Sequence, residues 1–154
     1  MPTPAFADLR DRRIERALGL YGLVWVSPMP GASEVYGIVG DELHVAGRAT
    51  LDGWSFVDVE ERIELTAASP EPGWYQYGLS FMDQDRHHQR REVHCHPRGR
   101  PREGDECGGV CHRHRYIATP GRSGRPHLAP CSCVSVEDAI CELLGAYYQG
   151  YPSS

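Results

Sequence analysis

The sequence contains no lysine: all 16 of its basic residues are arginine. A GC-rich coding sequence is enough to explain the bias. Its chemical consequence is that every permanent cation is a planar fork, able to grip a carboxylate or phosphate through two hydrogen bonds. A G-x-x-x-x-G-K-[ST] phosphate loop is absent, as are a nucleophile elbow and a dinucleotide fingerprint. Nucleotide-driven, hydrolase-elbow and redox chemistry therefore have no support in the sequence. Long apolar runs are missing too, and none approaches the ~18 residues that cross a bilayer. The opening MPTPAFADLRDRRIER carries acidic residues and no apolar stretch, unlike a signal peptide. We expect a cytoplasmic protein with no membrane partner. Its six cysteines are then expected as free thiols or metal ligands rather than disulfides.

What is present fits a single globular domain over 1–154. The chain is 40% hydrophobic with three Trp, and it is long enough to bury a core without staples. Its net charge of −5 conceals an asymmetry. Residues 86–127 hold ten Arg and seven of the eight His against four acids, a net of +6, whereas the remainder nets −11. Such a segment suits an anionic ligand, or it can dock on the acidic part of the same chain.

Apolar spacing predicts a helix over 4–20, with Phe6, Leu9, Ile14, Ala17, Leu18 and Tyr21 on its buried stripe, Thr3 as N-cap and Pro4 in the first turn. LVWVS (23–27) reads as a short buried strand. The runs 43–51 and 54–65 alternate around Asp52-Gly53, a strong hairpin signal. A phase slip between Phe56 and Val57 suggests a bulge. In WYQYGLSFM (74–82), Tyr75, Tyr77, Leu79 and Phe81 share one face. EVHCH and HRHRYIA can pair across a polar, Cys/Gly/Arg-rich insertion loop at 97–111. A closing helix is expected over 134–148, with Ser135 and Asp138 at its start and Val136, Ala139, Ile140, Leu143, Leu144 and Tyr147 as its stripe. The expected fold is α+β: an N-terminal helix, an antiparallel β-meander of five to seven strands, and a C-terminal helix packed on one face.

The chemistry concentrates between residues 90 and 115. An H-x-H pair on a strand presents both rings to one side. His94 and His96, opposite His112 and His114, could thus form one imidazole patch. That patch can supply a general acid and base near neutral pH, or hold zinc. Arg90 and Arg91 are candidate phosphate clamps. Arg113 and Arg115 are further substrate-binding candidates, although a regular strand turns them away from His112 and His114. Glu92 or Glu61 could orient an imidazole. A rival metal site is Cys107, Cys111, Cys131 and Cys133, with 19 residues between the two pairs and spacings short of the usual C-x₂-C. The H-x-E…P-C-x-x-C signature of zinc deaminases is not matched.

The order LDGWSFVDVEE (51–61), YQYGLSF (75–81), RREVHCH (90–96), HRH (112–114) and VSVEDAICELL (134–144) resembles the TumE family. These are small bacterial proteins regarded as toxins of toxin–antitoxin pairs. The resemblance covers residues 43–148 and implies a toxin with a cognate antitoxin. Two departures stand out: Glu92 replaces an aspartate, and the Cys-bearing insertion separates the His motifs. Taken with the residues, the expectation is a metal-independent endoribonuclease acting on RNA or other nucleic acid, with no required cofactor. The alternative is a non-enzymatic interaction module stabilised by a structural zinc.

Overall fold

A computed structural model describes residues 4–52, 54–68, 70–82, 86, 88–95, 111–119, 122–123, 127–130 and 135–149; the side chains of residues 4, 5, 111–130, 146 and 149 are not described. Its elements in chain order are α1 (Pro4–Gly19), β1 (Ser27–Pro28), β2 (Tyr36–Val39), β3 (Glu42–Asp52), β4 (Ser55–Glu64), β5 (Pro72–Met82), β6 (His88–Cys95), β7 (Cys111–Thr119), β8 (Arg122–Ser123), β9 (His127–Pro130) and α2 (Val136–Gln149). The fold is the expected α+β. Strands β3 to β7 form an antiparallel meander, with β1 and β2 side by side on the outer edge of β3, and β8 and β9 on β7.

Both helices lie on one face of the sheet. Ile14, Ala17 and Leu18 of α1 and Val136, Ala139, Ile140, Leu143 and Leu144 of α2 share a core with Leu43, Val45, Ala49, Val57, Val59, Ile63, Tyr75, Tyr77, Leu79, Phe81 and Val93. Burying this apolar surface is the main source of the fold's stability. The α2 start follows the sequence signal, because the Asp138 N–H donates to the Ser135 hydroxyl at 3.1 Å. Arg13 of α1 pairs with Glu137 of α2 at 2.5 Å, tying the helices together.

Three local expectations need correction, and one short strand goes beyond them. Leu9 is 63% exposed and Arg10 is buried in its place. Arg10 reaches through the helix face to hold Glu61 with two hydrogen bonds of 2.7 and 2.6 Å. The 23–27 segment is not a buried strand. Only Ser27–Pro28 pairs with β3, Val24 and Val26 are exposed, and Trp25 lies flat on Gly47. No bulge occurs at Phe56; the register slips between Thr50 and Asp52 and between Arg62 and Ile63. The apparent slip arose because two apolar residues, Trp54 and Phe56, fall on the side away from the helices, where Trp54 is exposed and Phe56 lies under the Arg48 guanidinium. The short β2 gave no clear period and was not anticipated.

The Asp52 turn is as expected: its carboxylate accepts the N–H groups of Trp54 and Ser55, each at 2.8 Å.

Candidate functional site

Apart from the end pairs Asp52–Ser55 and Ile63–Pro72, the registers from β3 to β7 pair odd residues with odd and even with even. The odd positions of β3 to β6 face the helices. The even positions build the other face, which no helix covers among the described residues. Two rows cross it. One runs Ala46, Glu60, Gln76, His94 and His112; the next runs Arg48, Asp58, Gly78, Glu92 and His114. The sequence expectation that His94 stands opposite His112 holds at the level of register. His114 stands opposite Glu92.

The described side chains on this face form a relay of alternating charge. Arg48 grips Asp58 with two hydrogen bonds of 2.7 and 3.0 Å. Arg90 reaches across β5 to Asp58 at 3.1 Å and donates to the Ser80 hydroxyl at 2.7 Å. Its Nε also donates to Glu92. Gln76 donates to the same Glu92 oxygen at 3.0 Å, while the second oxygen lies 2.7 Å from His94 Nε2. Gly78 makes the crossing feasible, because a Cβ there would sit 2.8 Å from the Arg90 guanidinium carbon.

Burial alone would raise the Glu92 carboxyl. The His94 hydrogen bond and the Arg90 cation outweigh it and hold the group down at about 2. Glu60 goes the other way: burial, aided by Asp58, pushes it up against the pull of Arg62, His44 and His94. Burial also disfavours the Arg90 charge, but Glu92 and Asp58 more than restore it and raise its pKa. Glu92 is thus a fixed anion against the His94 ring. A carboxylate so placed fixes the orientation and tautomer of the ring, which equips a histidine to take and return a proton.

The structure sorts the expected site residues. Glu92 and His94 are joined directly. Arg90 is on their face but is spent on Asp58, Ser80 and Glu92, so it positions the dyad rather than standing ready as a clamp. Arg91 occupies an odd position, on the helix side of the sheet, and cannot share their site. Arg113 and Arg115 stand opposite Val93 and Arg91, also odd positions. Glu61 is fully buried under α1, where Arg10 and the Tyr77 hydroxyl, at 2.6 Å, hold it; it has no part in orienting a histidine. His96, Cys107, Cys131 and Cys133 lie outside the described residues. Cys111 begins β7 opposite Cys95.

The cysteine expectation is corrected at one position. Cys95 is buried and disulfide-bonded, whereas Cys141 on α2 is free and exposed. Among the described residues, no group of His, Cys, Asp and Glu is arranged to hold a metal ion. No described helix is long and apolar enough to cross a membrane.

Sequence reasoning missed Arg48, Asp58, Glu60, Gln76 and Ser80. Counting pairs back from the Asp52 turn would set Arg48 against Val59. Only the slip between Thr50 and Asp52 brings it opposite Asp58.

Compared with known proteins, the chain matches no family model, no curated sequence and no solved structure.

Proposed function

We propose that the protein is a cytoplasmic toxin of a bacterial toxin–antitoxin pair, restrained by a cognate antitoxin, that cleaves RNA without a metal. The order of motifs resembling the TumE family supports the biological role. The observation that carries the chemistry is the Glu92–His94 dyad, whose register partners on the next strand are His114 and His112. His94 takes the proton from a ribose 2′-hydroxyl, and the freed oxygen attacks phosphorus. The P–O5′ bond breaks as a second imidazole, assigned to His112, protonates the leaving oxygen. A 2′,3′-cyclic phosphate and a 5′-hydroxyl remain. His96 and His114 support or substitute for these two. Arg90 acts through Glu92.

The test is cleavage of a single-stranded oligoribonucleotide by the purified protein. His94→Ala should lower the rate on the order of 10²–10⁴-fold while the circular dichroism spectrum stays native. The wild-type pH profile should be bell-shaped, and a chelator should leave the rate unchanged. A rate abolished by chelator would instead favour a zinc-dependent protein. Full cleavage by a folded His94→Ala variant would remove the dyad from the mechanism.

A further inference from the structure

Away from the dyad, the tip of the β3–β4 hairpin and the end of β5 meet the C-terminal part of α2 around a cleft of about 580 Å³. Asp52, Trp54, Ser55, Met82, Arg86 and Tyr147 line it. That volume falls within the range of small-ligand sites and accommodates one nucleotide.

Three features say what the cleft would take. Trp54 is 71% exposed, an unusual position for the largest aromatic side chain. The other two tryptophans have structural work: Trp25 packs on Gly47 and bonds Asp11, and Trp74 lies under Arg62. Arg86 is exposed and makes no hydrogen bond or ion pair among the described residues. It holds a left-handed backbone at φ 61°, a conformation that non-glycine residues adopt at some cost. Asp52, in contrast, is occupied. Its carboxylate takes two backbone N–H groups and the Tyr147 hydroxyl, the last at 3.2 Å. The open cation in the cleft therefore stands beside an open aromatic face, the pairing that binds a planar base bearing a phosphate.

We infer that this cleft binds a single nucleotide, with the base stacked on Trp54 and the phosphate held by Arg86. The inference rests on the nucleic-acid reading above and extends it to a second contact on the same strand. Met82 pairs with His88 and Gln76 with His94, so six residues along β5 separate the cleft from the dyad, roughly 20 Å. Ser55 and Tyr147 bring the cleft to the helix side at the end of the sheet, so a single strand joining it to the dyad would have to round that end onto the open face.

Titration of the wild-type protein with adenosine 5′-monophosphate, adenosine, inorganic phosphate and a short single-stranded oligoribonucleotide tests it by calorimetry. The monophosphate should bind saturably and more tightly than adenosine or phosphate. Trp54→Ala and Arg86→Ala should each weaken it at least tenfold, and His94→Ala should leave it unchanged. Tighter, Trp54-dependent binding of the oligonucleotide would mark a strand subsite; equal binding of the two would mark a free nucleotide as ligand. No saturable binding, or binding indifferent to both substitutions, overturns the inference. Trp54-dependent binding together with full RNA cleavage by His94→Ala would keep this site and remove the catalytic proposal, so the two fail separately.

Discussion

At position 78 a hydrogen in place of a methyl group decides where a guanidinium lies. Gly78 sits between Asp58 and Glu92 in register, and Arg90 passes over it to touch both. Gly78→Ala should force Arg90 out of that crossing. Arg90 cannot retreat without giving up Asp58, Ser80 or Glu92, so the expected loss is about 1–3 kcal/mol, read from the urea midpoint. An unchanged midpoint would mean that the crossing contributes little. Glu92 supplies a second prediction at this scale. Its folded pKa of about 2 lies below its ordinary 4.5. The ionised contacts therefore contribute fully above pH 4.5 and are lost as pH falls toward 2, a difference of roughly 3 kcal/mol. Stability of the wild type should drop across that acid window, and Glu92→Gln should flatten the drop. The sequence does not say which group crosses Gly78, since a glycine within a strand signals weakness or a close approach without naming what approaches.

Among the elements, α1 and α2 were legible from their 3.6-residue period, and β5 from four alternating large side chains. The misplaced residue on α1 has a clear cause. Leu9 and Arg10 exchange roles because a buried carboxylate on β4 outbids helical periodicity, and Glu61 cannot be known as buried until β4 has been placed. The Arg10–Glu61–Tyr77 cluster pins α1 to the sheet, with Arg10 6% and Glu61 0% exposed. Burial opposes the Arg10 charge, but the Glu61 hydrogen bonds and charge outweigh it and raise the Arg10 pKa, so the guanidinium stays charged. Arg10→Met should cost about 3–5 kcal/mol by leaving Glu61 uncompensated. Arg10→Met combined with Glu61→Leu should recover much of that loss in thermal unfolding. A double variant no more stable than the single would show that the pair itself, and not the orphaned charge, supplies the stability.

Across the whole molecule, the candidate site was half legible. Strand alternation placed His94 opposite His112 and turned Arg113 and Arg115 aside, and the structure agrees at the level of register. What the sequence hid is the network behind the dyad, since Arg48, Asp58 and Arg90 lie on three strands whose alignment depends on two slipped pairs. That alignment has a numerical consequence. Beyond the two end pairs beside the slips, parity is kept from β3 to β6, so an odd residue number means the helix side and an even one the open side. A saturation scan over 43–49, 57–63, 75–81 and 89–95 should split by arithmetic. Odd positions such as Val45, Val59, Leu79 and Val93 should lose abundance, the even positions Glu60, Gln76 and His94 should lose activity at near-normal abundance, and the buried even positions Asp58, Gly78 and Glu92 should lose both. Deleting one residue within a strand exchanges the two classes for every position beyond it in that strand, presenting charges to the core and apolar groups to the site. The protein should therefore tolerate a conservative replacement at nearly any one of these positions better than it tolerates a single missing residue, and the genetic record of its strands should be written in substitutions, with gaps confined to the turns.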